Sequence, residues 1–224
     1  MNLSIAASGT SAFAQASNMM DGQVYQFPRN PPLRHESFDR DEQICGCTDT
    51  LRVYQIVSGF VRQCHFLADG RRQIMAFHGE GEVFWSRSHT FGALAVEAVC
   101  PTTVICFNKR EGDLHCHTGP AWLALLHQAA MEQLTQAQEH AAMMCHRNAL
   151  ERVCGFLLAE NGRAGSRGVM NLPMSRSDIA DYTGLTIETV SRSLTRLEQK
   201  GIIRISGQRI IEIVTPSALA MLYR

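Results

Sequence analysis

Residues 175–203 read SRSDIADYTGLTIETVSRSLTRLEQKGII, two short helical patterns on either side of a glycine. Ser175, with Asp178 three residues on, is a capping-box start, and Ile179 and Ala180 give the first helix a small inward face. Gly184 breaks that helix where a tight turn needs backbone freedom. Thr186 caps the second helix, on which Ile187, Val190, Leu194 and Leu197 recur at helical spacing as a stripe able to dock on a core. Gly201 ends it, with Lys200 beside the negative end of the helix. The spacing predicts a helix-turn-helix unit.

The opposite face of the second helix carries Glu188, Ser191, Arg192 and Thr195 at i, i+3, i+4 and i+7, close to the helix start. In a helix-turn-helix that end meets the base edges of DNA. Arg192 has the planar fork that fits O6 and N7 of guanine, Glu188 is an acceptor for the N4 amine of cytosine, and Ser191 suits a base edge or a thymine methyl. Arg196, one turn on, suits a phosphate, and Thr186, Thr195, Ser175 and Arg176 join it as expected backbone contacts. The competing reading makes Glu188 and Arg192 an ordinary i,i+4 ion pair on a solvated helix, worth about 0.2–0.5 kcal/mol. The caps and the glycine turn around them favour the DNA reader.

The segment LTIETVSRSL, with Glu188, Ser191 and Arg192 in E-x-x-S-R order, resembles the recognition helix of the FNR and FixK branch of the CRP-like transcription factors. The resemblance covers most of the chain from about residue 31 and is sharpest in the C-terminal third. It implies an α+β fold: a cyclic-nucleotide-binding-like β-roll over 31–118, a long dimerisation helix over 119–146, and a C-terminal winged helix-turn-helix over 147–224. It further implies a homodimeric transcription activator, of the kind tied to microaerobic or nitrogen-fixation control. Such a dimer would bind a palindrome close to TTGAT, four spacer bases and ATCAA, and recruit RNA polymerase.

Composition is compatible with that organisation. The chain has 224 residues, 45% of them hydrophobic, enough for one large or two modest domains. Formal net charge is zero, but residues 1–144 hold 10 Lys and Arg against 14 Asp and Glu, whereas residues 145–224 hold 11 against 7. The basic surplus falls with the expected DNA reader. No apolar run approaches about 18 residues, so no membrane span is expected. Residues 1–30 lack the basic start of a signal peptide and read as a disordered leader.

Between Arg34 and Arg110, short β-rich runs alternate with turn signals, as in a small barrel or jelly roll. Val53–Val57, Phe60–Phe66, Gln73–Phe77 and Val83–Trp85 are expected strands, with turns at Ser58-Gly59 and at the Asp69-Gly70 hairpin. A cyclic phosphate held in such a roll needs paired charge and donors. After Glu82 the chain reads VFWSRSHTFGALAVEAV, without the family's phosphate cradle, and Arg87-Ser88 reads as surface. No tight cyclic AMP binding is expected.

The eight cysteines, Cys45, Cys47, Cys64, Cys100, Cys106, Cys116, Cys145 and Cys154, form no C-x-x-C pair. Cys106 falls near the internal cluster ligand of the FNR branch, but the N-terminal cysteine group is missing, so an iron-sulfur cluster is not expected. Cys45-Gly46-Cys47 and His115-Cys116-His117 are poor zinc sets, because adjacent strand residues point to opposite faces. No metal and no cofactor is expected, and free thiols at this density suit a reducing cytoplasm.

Residues 121–145 contain no glycine or proline, and Leu123, Leu126, Ala130, Leu134, Ala137, Ala141 and Met144 form an apolar seam along them. A single domain could bury that seam internally; the family resemblance makes it a dimer axis, in keeping with palindromic operators. Residues 149–159 are expected to be the first helix of the DNA-binding domain, with Gly162, Gly165 and Gly168 in the loop after it. VMNLPM is expected to be a strand, and IIRIS and RIIEIV a hairpin wing with Arg204 and Arg209 either near phosphates or merely solubilising. Two other readings compete: a regulator of the same fold gated by haem, redox or a small effector, and a cupin-like β-roll enzyme. The second needs clustered metal ligands on facing strands, and no such spaced set is present. No catalytic residue is assigned.

Overall fold

The computed structural model describes residues 34–45, 52–86, 93–107, 120–146, 148–165, 167–207 and 209–223. The expected leader, Cys47, Arg87-Ser88 and His115-Cys116-His117 lie outside these residues.

Among the described residues of the N-terminal part are eight strands: β1 (Arg34–Phe38), β2 (Gln43–Cys45), β3 (Arg52–Ser58), β4 (Phe60–Phe66), β5 (Arg72–Gly79), β6 (Val83–Ser86), β7 (Ala93–Ala98) and β8 (Thr102–Phe107). They pair antiparallel in two four-stranded sheets, ordered β1-β8-β3-β6 and β2-β7-β4-β5. Alternation along the strands decides what lies between the sheets. Ile44, Tyr54, Ile56, Val61, Phe84, Val96 and Val104 fill the interior, with the Tyr54 and Phe84 rings stacked at 5.0 Å. The expected Asp69-Gly70 hairpin joins β4 to β5, with Phe66 opposite Arg72. Gly59 makes a sheet-to-sheet crossing instead of a hairpin, since β3 and β4 belong to different sheets, and its φ of +99° suits glycine.

The C-terminal part comprises α1 (Pro120–Cys145), α2 (Ala149–Arg163), β9 (Val169–Asn171), α3 (Arg176–Thr183), α4 (Ile187–Gln199), β10 (Ile203–Ser206), β11 (Ile210–Ile213) and α5 (Pro216–Tyr223). Asn148 caps α2 by accepting from the Leu150 amide at 2.9 Å. That helix runs one turn past its expected end and takes in Gly162, because Arg163 pairs with Glu160 at 3.6 Å on the same helix and with Glu82 of the roll. The expected strand VMNLPM shrinks to β9, the outer strand of a wing sheet ordered β10-β11-β9. Helix α5 was not anticipated; its signals are Thr215 before Pro216, a favoured first helical position, and the buried Leu219.

One face of α1 is inward, with Ala129, His140 and Met143 buried and Gln133 donating to the Val83 carbonyl at 2.8 Å. The expected seam lies on the other side. Leu123 is 61% exposed, Leu134 51% and neighbouring Met131 50%, while Ala130, Ala137 and Ala141 are also exposed and Leu126 is half-buried. The described residues therefore leave the seam uncovered. Met144 departs from it and packs against the helix-turn-helix turn.

The roll and the C-terminal part share a core. Phe60, Cys64, Ile74 and Phe77, on the outer face of the β4–β5 sheet, join one buried cluster with Met143, Phe156, Ile179, Val190 and Leu197.

Candidate nucleic-acid interface

The expected capping box is present at α3. Ser175 Oγ accepts from the Asp178 amide at 3.1 Å, and Asp178 Oδ2 accepts from the Ser175 amide at 2.9 Å and from its hydroxyl at 2.8 Å. Gly184 ends the helix at φ +65°, and a Cβ there would sit 2.8 Å from Met144 Cε. Thr186 then caps α4, accepting from the Thr189 amide at 3.3 Å.

Val190, Leu194 and Leu197 are buried under α4, each worth about 1.5–3 kcal/mol of apolar burial. Ile187, expected in the same stripe, is 46% exposed, because the first turn overhangs the core; Ser193 takes the buried place instead. Thr186, Glu188, Ser191, Arg192, Thr195 and Arg196 are all exposed on the other side. Arg192 donates through Nε to the Glu188 backbone carbonyl at 3.3 Å and not to its carboxylate. The ordinary surface ion pair is therefore not what holds these two residues. The Glu188 backbone amide, the Thr186 hydroxyl and the Arg192 charge hold the Glu188 carboxyl below its usual range, so it is an acceptor at neutral pH. Of the expected phosphate contacts on α3, Ser175 spends its hydroxyl and amide inside the capping box, and Arg176 is partly buried, which lowers its pKa.

Sequence reasoning missed the groups behind α3. Asp178 Oδ1 accepts from Arg62 of β4 at 3.1 Å and from Arg72 of β5 at 2.9 Å, and Arg72 also reaches Asp181 Oδ2 at 2.7 Å. Arg62 pairs with Glu97 at 2.7 Å and with Asp41 at 2.9 Å as well. More than a hundred residues separate Arg62 and Arg72 from Asp178 and Asp181 along the chain, so no local pattern announces these pairs.

A Crp-like helix-turn-helix domain model matches residues 151–222. The nitrogen fixation regulation protein FixK of Rhizobium meliloti is 38% identical over 171 residues, 76% of this chain and 78% of that protein. FixK of Bradyrhizobium diazoefficiens is 38% identical over 84% of this chain and 82% of its own length. This chain belongs to the FixK-like branch of the CRP/FNR family. The solved structure of FixK2 from Bradyrhizobium japonicum superposes with a TM-score of 0.75 at 36% identity, covering 87% of this chain and 98% of that one. The transcriptional activatory protein AadR of Rhodopseudomonas palustris is 32% identical over 84% of this chain and 86% of its own length. A CooA mutant from Carboxydothermus hydrogenoformans, 18% identical with a TM-score of 0.71 over 86% of this chain and 88% of its own, shares the fold.

The FixK-like chain is thus a DNA-binding transcription regulator and not an enzyme. No helix among the described residues is long and apolar enough to cross a membrane. A cyclic nucleotide needs a buried cation for its phosphate. Among the described residues the one buried arginine, Arg62, is committed to Glu97, Asp41 and Asp178, and the roll interior between the sheets is lined by apolar side chains. In the wing, Arg204 pairs across the strands with Glu212 at 2.6 Å, which favours the solubilising role over a phosphate contact.

Proposed function

We propose that this FixK-like regulator binds as a homodimer to a palindrome of the TTGAT, four-base, ATCAA type and activates transcription there by recruiting RNA polymerase. The observation that carries the reading is α4: Val190, Leu194 and Leu197 anchor one face while Glu188, Ser191, Arg192, Thr195 and Arg196 stand exposed on the other. Glu188, Ser191 and Arg192 read base edges, and Thr186, Thr195, Arg196 and Arg176 hold the backbone, with Ser175 acting as the cap that orients α3. The partner copy meets the α1 seam of Leu123, Leu126, Ala130, Leu134, Ala137 and Ala141, setting two reading helices about 34 Å apart. Met144 lies outside this surface, packed against the Gly184 turn. The Asp69-Gly70 hairpin, with Asp69 and Arg71 exposed, offers a surface for the polymerase. The names of the FixK relatives, nitrogen fixation regulation proteins, support a role in nitrogen-fixation control. It works without cyclic nucleotide or iron-sulfur cluster.

Titration of matched and base-substituted palindromes at fixed salt tests base reading. Arg192→Ala should lose roughly 1–3 kcal/mol per half-site and relax discrimination at one guanine, whereas Arg196→Ala should weaken all sequences alike. Equal loss on every sequence for Arg192→Ala sinks the base-reading role. Calorimetry finding micromolar cyclic AMP affinity overturns the effector-free part.

A further inference from the structure

A helix leaves its last four carbonyls without partners inside the helix, and in α3 those carbonyls belong to the residues just before the Gly184 turn. Ala180 O accepts from the Gly184 and Leu185 amides. Each of the other three accepts from a side chain of a different element. Gln73 Nε2, on β5, donates to Asp181 O at 2.5 Å. His140 Nε2, on α1, bonds to Tyr182 O at 2.8 Å, and since a carbonyl only accepts, this nitrogen carries the proton. Arg152 Nη1, on α2, donates to Thr183 O at 3.3 Å. The His140 ring also stacks on Tyr182 at 4.2 Å, and Tyr182 touches Phe77 of the roll and Phe156 of α2.

We propose that His140 and Gln73 are positioning residues for base reading: by capping the end of α3 they fix the angle at which the long helix and the roll present α4 to DNA. The inference rests on the reading of α4 as the base reader. Arg192 lies six residues past Thr186, about 9 Å along the helix axis. A tilt of about 10° at the turn therefore moves it by roughly 1.5 Å, more than a hydrogen bond tolerates. His140 sits on the inward side of the helix whose outward side is the seam, so it passes the geometry of the dimer axis directly to the turn.

The test uses the full chain in three variants: His140→Leu, which removes the donor, His140→Gln, which keeps an amide donor near the same place, and Gln73→Leu. Two measurements are made, discrimination between matched and guanine-substituted palindromes, and amide hydrogen exchange over residues 185–190. His140→Leu and Gln73→Leu should lose about tenfold in discrimination and exchange faster in that segment, with dimerisation by sedimentation unchanged. His140→Gln should stay within about twofold of the parent. Parent-like discrimination and exchange in both leucine variants overturn the proposal, as does a His140→Gln variant as impaired as His140→Leu. A parent protein that does not discriminate defeats base reading itself, and the exchange arm then still decides whether the two side chains hold the turn. Should His140→Leu fail to fold, Gln73→Leu, at a half-buried strand position, carries the test.

Discussion

Burial pushes the Cys64 thiol up to about 12 and the Cys154 thiol up to about 11, so both stay protonated at neutral pH. Thiolates are the reactive form, which makes these two inert in the folded chain, whereas Cys145 is exposed at the end of α1. Peptide mapping after brief maleimide treatment at pH 7 should find Cys145 labelled and Cys64 and Cys154 unmodified until urea is added; native labelling of Cys64 would contradict its placement. Residue types at spacing were enough to find the exposed row on α4, since a helix shows each face at a fixed period. They could not place Ile187, because the end of a helix overhangs or docks according to what lies beneath it.

Helix α1 presents leucines and alanines outward along a length that the described residues leave uncovered. In the proposed homodimer, Leu134→Glu puts a charge in that seam on both copies, and burying an unpaired charge is costly. Sedimentation velocity should show the dimer dissociation constant rising by at least about 100-fold, with the thermal midpoint of the chain little changed and palindrome affinity falling in step. An unaltered dimer would move the interface elsewhere. The seam was legible as a period of three and four. That Met144 turns from it to the Gly184 turn was not, because that residue's choice depends on the missing Cβ of a glycine forty positions on. The extra turn of α2 was hidden for the same reason: its support comes from Glu82, on a distant strand turn.

Roll and C-terminal part are joined by one apolar cluster and by the Arg62, Arg72, Asp178 and Asp181 ion pairs, so thermal unfolding should be a single transition. Its pH dependence has a definite sign. Burial holds the His140 pKa below the ordinary histidine value, so the unfolded chain binds the proton more readily. Stability from this group is present above about pH 6.5 and is lost as the pH falls below it. The difference between melting midpoints at pH 7.5 and 5.5 should therefore shrink in His140→Gln; an equal or larger difference would mean that His140 is not the group responsible.

The amino-acid sequence alone determined the helix-turn-helix, its caps, the exposed row on α4, the hairpin of the roll and the apolar period of the long helix. All of these are local, set by backbone preference and side-chain periodicity over a few turns. Only the tertiary structure decided how that unit is held. Asp178 is a capping residue in the sequence and a buried anion between two roll arginines in the fold. The carbonyls of Asp181, Tyr182 and Thr183 are likewise answered from β5, α1 and α2. Buried charges and helix ends must be satisfied, but their partners need only be near in space, and no spacing along the chain says which they will be.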